Sequence, residues 1–336
     1  AMAACLFTNQ HSSTTDGAKL SRAVMSSTDD DRLTLAQSQR HLMHPILSSA
    51  LRDNAGQRII SISGAPYDGY SFPHMLESLK KIGATHVEPA FIVGYTEPFD
   101  ESTFTEKNAT EYANWLKEFG IGCFAFSSHI DLGREDAIEV FLGRMDFARR
   151  IGARVINTNA SARETEKRFF ENIAVLARHA EQLDMLIGLE NPGDGSDNLL
   201  NTAADAAGLL ARINHPRIGL NYDAGNTISH RPDVDSTQDA LEAMQHCLHT
   251  HIKNVQVRPE GYFFSPLDAG VADCAAIVQA VRPTNLSLSI EMPLRLHRKP
   301  DSKPNRSSER VPLETIEAAL KTAMQFVSQQ LTSSSH

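Results

Sequence analysis

Four residues in the second half of the sequence are of the types that hold a divalent cation: Glu190 in GLENPGDG, Asp223 in NYDAGN, His251 in HTHIKN and Glu291 in SIEMP. Glu190, Asp223 and Glu291 each close an apolar, strand-like run, and His251 stands near the start of another. Three carboxylates gathered round one point repel one another strongly unless a cation neutralises them or some hold protons. A divalent metal removes that difficulty. An oxygen-rich set with one imidazole suits Mn²⁺ first, with Mg²⁺, Co²⁺ or Zn²⁺ as alternatives, and does not resemble a closed structural zinc site built from cysteine and histidine.

Residues so far apart in the chain meet only if the fold gathers the ends of their strands. From Ile59 onward, short Val- and Ile-rich runs alternate with stretches of helical period, as expected of βαβ units and a parallel sheet. The strand candidates are RIISISG, THVEPAFIV, IGCFAFSS, ARVINTNA, MLIGLEN, RIGLNYD, THIKNVQV and LSLSIEM. The intervening helices include FPHMLESLKKIG, EYANWLKEFG, AIEVFLGRMDFARRIG and DALEAMQHCLH, the first three ending in glycine. Eight such pairs close a (β/α)8 TIM barrel, whose active sites form at the carboxyl ends of the strands. A doubly wound sheet is the alternative, but no G-x-G-x-x-G follows the first strand. The expected organisation is an N-terminal extension over 1–57 (a Ser-, Thr- and Asp-rich arm and a helical stretch), the barrel over 58–331, and a tail over 332–336. The extension reads as a cap on the barrel or a surface for association, which leaves a homo-oligomer open.

Composition narrows the class of partner. The 336 residues are 41% hydrophobic and 22% charged, enough apolar material for one large core. The formal net charge is -9 with Lys and Arg scattered, so neither nucleic acid nor an anionic membrane is expected, and small-molecule chemistry is favoured. Apolar runs fall short of the roughly 18 residues of a membrane span, and the N-terminus lacks a leader pattern. Cys5, Cys123, Cys247 and Cys274 form no C-x-x-C pair, which points to a reducing, cytoplasmic setting.

Taken in order, Gly188–Asn191 (GLEN), Tyr222–Asn226 (YDAGN), His251–Asn254 (HIKN) and Ser289–Glu291 (SIE) resemble the xylose isomerase-like barrel superfamily, over roughly residues 59 to 331. That superfamily includes tagatose and psicose 3-epimerases, hydroxypyruvate isomerase, inosose dehydratase and endonuclease IV. The resemblance implies that Glu190 and Glu291 both bind the metal and act as acid or base, with Asp223 and His251 as ligands only. The implied reaction is isomerisation or epimerisation of a sugar, sugar acid or keto-polyol, by proton transfer through a metal-stabilised enediolate. The alternatives are a dehydratase that expels a β-hydroxyl from the same carbanion, and a noncatalytic sugar-binding barrel subunit. Asn226 departs from the epimerase pattern, which has a substrate-contacting histidine three positions after the metal aspartate. Endonuclease IV, with three zinc ions and additional histidines, is poorly matched.

Further substrate-binding candidates are His129, Asn226, Arg258, Glu88 and Lys253. His129 and Asp131, in SSHIDLG, read equally as a polar loop or helix cap. Glu88, Asn157 and Asn159 point either into the barrel mouth or into its packed interior layers. Arg258 suits a carboxylate or phosphate, although loop arginines are more often solvated. Lys253 lies on the same strand face as His251, where pairing with a barrel carboxylate is an adequate role. The basic stretch Leu294–Pro312 reads as a lid or a solvated connection.

Overall fold

The computed structural model describes residues 56–333; the expected extension over 1–57 lies almost wholly outside the described residues. The chain forms strands β1 (Ile60–Ser63), β2 (His86–Glu88), β3 (Gly122–Cys123), β4 (Ala125–Ser127), β5 (Val155–Asn159), β6 (Leu186–Glu190), β7 (Ile218–Asp223) and β8 (Cys247–Ile252). Strands β9 (Asn254–Arg258) and β10 (Gly261–Ser265) leave the barrel, and β11 (Ser287–Ile290) returns to it. The nine-stranded sheet has the order β3-β2-β1-β11-β8-β7-β6-β5-β4. Interruption at Phe124 makes β3 and β4 two halves of one stave, so nine strands form eight staves, and a parallel bridge between Ala90 and Ser127 closes the ring. This is a TIM barrel.

Helices α1 (Phe72–Ile82), α2 (Glu106–Phe119), α3 (Ala137–Arg150), α4 (Glu166–Leu183), α5 (Ala203–Ile213), α6 (Ala224–His230), α7 (Ser236–Ala243), α8 (Cys274–Val281) and α9 (Leu313–Thr332) accompany the staves. Helical spacing explains their packing: α1 buries Met75, Leu76, Leu79 and Ile82, and α4 buries Phe169, Ile173, Leu176 and Ala180. Gly83 and Gly120 end α1 and α2 in the left-handed region. Among the described residues, no helix is long and apolar enough to cross a membrane.

The interior of the barrel changes character along its axis. Its amino end is plugged by Ile59, Phe124, Ala125, Val155, Leu186 and Leu248, all buried together. One step along the inward-facing period, Ser127, Asn157, His249 and Ser287 are polar and fully buried. A further step brings Glu190, His251 and Glu291 to the carboxyl end. Gly188 permits this layering, because a Cβ there would stand 2.4 Å from Asn157 Oδ1.

Two sequence readings need correction. The stretch DALEAMQHCLH is not one helix: α7 stops at Ala243, and β8 begins at Cys247. THIKNVQV is likewise two strands, because only its first residues belong to the barrel, while β9 pairs antiparallel with β10. The stretch Leu294–Pro312, read as a lid or solvated connection, contains β12 (Leu296–Arg298) and β13 (Pro304–Arg306), which complete a four-stranded sheet of order β13-β12-β10-β9. Two of its arginines are held by ion pairs: Arg295 lies 3.2 Å from Asp68 and 2.9 Å from Glu97, and Arg306 2.5 Å and 2.6 Å from the same carboxylates.

Candidate functional site

Glu190 is the last residue of β6, Asp223 the last of β7, and Glu291 follows β11 directly. In register, Asp223 and Ser289 flank His251 on either side. Parallel pairing therefore brings the four residues to one level at the carboxyl end, with one ligand atom from each within 4.8 Å of the others. His251 Nδ1 lies 3.4 Å from Glu190 Oε2, 3.4 Å from Glu291 Oε2 and 3.7 Å from Asp223 Oδ2. His251 Nδ1 is buried without a hydrogen-bond partner, and Asp223 Oδ2 meets only the Lys253 ammonium, at 2.5 Å. Such groups are costly to bury unless something completes them. One imidazole nitrogen and three carboxylates converging on a point fit a hard divalent cation, and these four residues would hold it.

The surrounding charges agree. Burial works against a proton on His251, but Glu190, Glu88 and Glu291 outweigh it and raise its pKa well above the ordinary histidine value. Burial raises Asp223 above the usual carboxylate range, against the pull of Lys253. Lys253 Nζ reaches into the cluster, 2.5 Å from Asp223 Oδ2, 2.6 Å from Glu291 Oε2 and 3.0 Å from Asn226 Oδ1. Burial would strip its proton, yet Asp223, Glu291 and Glu190 hold its pKa above the usual lysine value. Among protein groups alone, Lys253 thus supplies part of the missing positive charge.

Amide side chains fix the carboxylates. Asn221 Nδ2 donates to Glu190 Oε2 at 2.6 Å, and Asn226 Nδ2 donates to Glu190 Oε1 at 2.9 Å. Asn191 donates to the Asp223 carbonyl at 2.9 Å and accepts from the Asp223 amide at 2.9 Å, locking the end of β7 to the end of β6.

One layer deeper, Glu88 accepts from His251 Nε2 at 3.0 Å, Asn157 Nδ2 at 2.8 Å and Ser127 Oγ at 2.6 Å. Its other oxygen accepts from His249 Nε2 at 3.0 Å and from Ser289. Burial opposes its charge, but His251 and His249 hold its pKa well below the carboxylate range. The bond from His251 Nε2 turns the Nδ1 lone pair toward the carboxylates when the ring is neutral, the usual task of a carboxylate behind a metal-bound histidine. Sequence reasoning missed His249, because it lay in a stretch read as helix; an alternating C-L-H-T-H-I pattern is the signal that finds it.

A cavity of about 400 Å³ opens above the cluster, lined by Glu190, Glu291, Asn226, Lys253, His129, Tyr95 and Arg298 among others. His129 Nε2 is 3.3 Å from Glu190 Oε2, without a directed hydrogen bond. Asp131 and Asn159 also line the cavity; Asp131 accepts from the Gly133 amide at 2.7 Å and the Ala162 amide at 3.1 Å. Glu88 and Asn157 sit below it, fully buried. Arg258 lies elsewhere, exposed on β9, donating to Gln256 at 2.8 Å and stacked 4.9 Å from Phe263. Arg298, overlooked in a stretch read as a lid or a solvated connection, is buried in the cavity wall.

The family model described as xylose isomerase-like TIM barrel matches residues 76–317. Similar solved structures include a D-psicose 3-epimerase from Clostridium cellulolyticum H10 with D-tagatose, at 14% identity and TM-score 0.62, covering 81% of this chain and 99% of that one. A probable 3-DHS dehydratase from Bacillus anthracis has 17% identity and TM-score 0.59, covering 80% and 98%. A xylose isomerase-like barrel protein from Mycobacterium smegmatis in complex with magnesium has 17% identity and TM-score 0.58, covering 85% and 96%. At these identities the likeness shows the fold. Among curated protein sequences, none matches this chain.

Proposed function

Because the chain belongs to the xylose isomerase-like TIM barrel family, we propose that it is a divalent-metal-dependent isomerase or epimerase of a sugar, sugar acid or keto-polyol, with Glu190 and Glu291 as acid and base. The observation that carries this reading is His251 Nδ1, buried without a hydrogen-bond partner among Glu190, Asp223 and Glu291, two of which open onto one cavity. A bound cation would supply Lewis-acid stabilisation of negative charge developing next to a substrate carbonyl, and the oxygen-rich donors favour Mn²⁺.

The protein groups do the rest. Against burial, His251 and His129 keep Glu190 below the ordinary carboxylate range, and Lys253 and His251 keep Glu291 well below it. Both carboxylates are therefore ionised and able to take a proton from carbon. Whichever accepts it can return it from its own side to a neighbouring carbon, an isomerisation; inversion at one carbon needs the other carboxylate to have taken a proton from solvent, which it then delivers from the opposite face. Asn221 and Asn226 hold Glu190 from two sides, so its reach is fixed before substrate arrives. His129, Asn226 and Lys253 offer polar contacts for hydroxyl and carbonyl oxygens. Dehydration is the second reading, favoured by the dehydratase among the structural neighbours: the same deprotonation is followed by departure of a β-hydroxyl. Buried free thiols at Cys123, Cys247 and Cys274 suit a reducing compartment, and we place the protein in the cytoplasm.

Metal-loaded protein incubated in D₂O with a panel of aldoses, ketoses and sugar acids should place deuterium on carbon. Glu190→Gln and Glu291→Gln should each reduce exchange by about 10²- to 10⁴-fold. A conjugated enone absorbance without interconversion would select the dehydratase, and absence of exchange, interconversion and enone across the panel would sink the enzymatic reading.

A further inference from the structure

Arg298 is a buried cation with no carboxylate in direct contact. It is 4% exposed, and no carboxylate lies within 4.0 Å of its guanidinium among the described residues. Its side chain donates to the Ser302 carbonyl at 3.1 Å and to the Tyr95 hydroxyl, and its guanidinium carbon stands 5.1 Å from the Tyr95 ring centre. These neutral partners use part of a five-donor group. Burying a charge with no counter-ion in contact is unfavourable, so the arrangement suits a visiting anion. Arg295 and Arg306 of this segment both have one in Asp68 and Glu97, and Arg310 is exposed.

The placement is built rather than incidental. Arg298 ends β12, between β10 and β13, and Gly261 makes room for it, since a Cβ there would collide with the Arg298 carbonyl. Ser302 Oγ donates to the Ser229 carbonyl at 2.6 Å, which pins this sheet to α6. Across the cavity, a Cβ on Gly193 would stand 2.6 Å from Arg298 Nη2 and 2.8 Å from Asn226 Oδ1, so the guanidinium and Asn226 face the same small space. Asn226 in turn holds Glu190. An anionic group on Arg298 would therefore lie a short carbon chain away from the reacting carboxylates.

Resting on the reading of this cavity as the substrate site, we propose that Arg298, with the Tyr95 hydroxyl, receives a substrate carboxylate, so that the substrate is a polyhydroxy acid rather than a neutral sugar. A carboxylate fits better than a phosphate because the cavity's other cations are committed. Lys253 is shared by Asp223 and Glu291, and Arg134 is paired with Asp136 at 2.8 Å and 2.5 Å. Asp194, which also lines the cavity and feels the Arg298 charge without touching it, accepts from the Ser196 amide at 3.0 Å and hydroxyl at 2.7 Å. One guanidinium and one phenol match a planar monoanion.

The test is calorimetric binding to the full-length protein, with and without Mn²⁺, of aldonic and 2-keto-aldonic acids, the matching neutral polyols and ketoses, and the matching sugar phosphates. The acids should bind more tightly than both other groups. R298Q should weaken acid binding by about 30-fold or more while leaving neutral compounds unchanged, and Y95F should weaken it in the same sense by less. Equal binding of acids and neutral compounds, tighter binding of phosphates, or an R298Q protein that binds acids normally would overturn the inference; if R298Q does not fold, the Y95F comparison decides. Because binding is read without turnover, failure of isotope exchange leaves this result standing, whereas Arg298-independent exchange on neutral ketoses removes it and leaves the proposed reaction intact.

Discussion

Two acid-histidine clusters share His251 and differ in one respect. In the lower one, Glu88 and His249 are filled: Ser127, Asn157, Ser287, Ser289 and His251 satisfy them in full burial. In the upper one, Glu190, Asp223 and Glu291 crowd together round one shared lysine, and His251 Nδ1 is left without a hydrogen bond. Residue type alone does not separate them, since both offer metal-binding atoms within 4.8 Å of one another. Saturation does. A completed hydrogen-bond network fixes geometry, and an incomplete one at the mouth of a cavity is where a ligand is required.

This contrast breaks or holds under substitution. Asp223→Asn should produce the largest effect on metal: titration with Mn²⁺ should show affinity falling by more than the roughly 10- to 100-fold that loss of an orienting partner costs. The melting temperature of the metal-free protein should fall less than in Glu88→Gln, because the lost Lys253 contact is offset by removal of a carboxylate that burial and two like charges already disfavour, and Lys253 keeps Glu291. Glu88→Gln should show the opposite balance, with metal affinity lowered by only about 10- to 100-fold and metal-free stability lowered by about 3–5 kcal/mol in denaturant titration. If Glu88→Gln spares stability, the lower cluster is not the structural one.

The smallest effect concerns the cavity rim. His230 Nδ1 accepts the Gly195 amide at 3.1 Å, and its Nε2 contacts Asn201 Oδ1 at 2.9 Å, tying the loop after β6 to α6. Burial and the nearby Arg231 lower its pKa to about 4. The unfolded chain then binds the proton more readily than the folded one, so this contribution is present above the ordinary histidine value of 6.5 and is lost as pH falls from there toward 4. Urea midpoints measured across that window should fall more steeply for wild type than for His230→Asn. Equal slopes would show that the rim is not held by the neutral ring.

The sequence displays the barrel and much of the cluster for a common reason. Glu190, Asp223 and Glu291 end apolar runs, so a change from apolar to acidic marks both the strand end and the site. His251 was harder to place within its strand, because β8 carries inward polar residues at His249 and His251 that break its apolar run, while the more strand-like N-V-Q-V beside it belongs to another sheet. Arg298 was invisible for a related reason. In a stretch dense in Arg, Lys and Pro, charge predicts solvent, and only the three-dimensional meeting of Arg295 and Arg306 with Asp68 and Glu97 reveals a folded sheet with one buried arginine left over.

The apolar plug at the amino end of the barrel has a consequence for how this molecule can change. Because Ile59, Val155, Leu186 and Leu248 close the bore at the end away from the mouth, cohesion and chemistry occupy separate floors of one cylinder. Alterations at the mouth can therefore redirect what the protein recognises while drawing little on the reserve that keeps it folded.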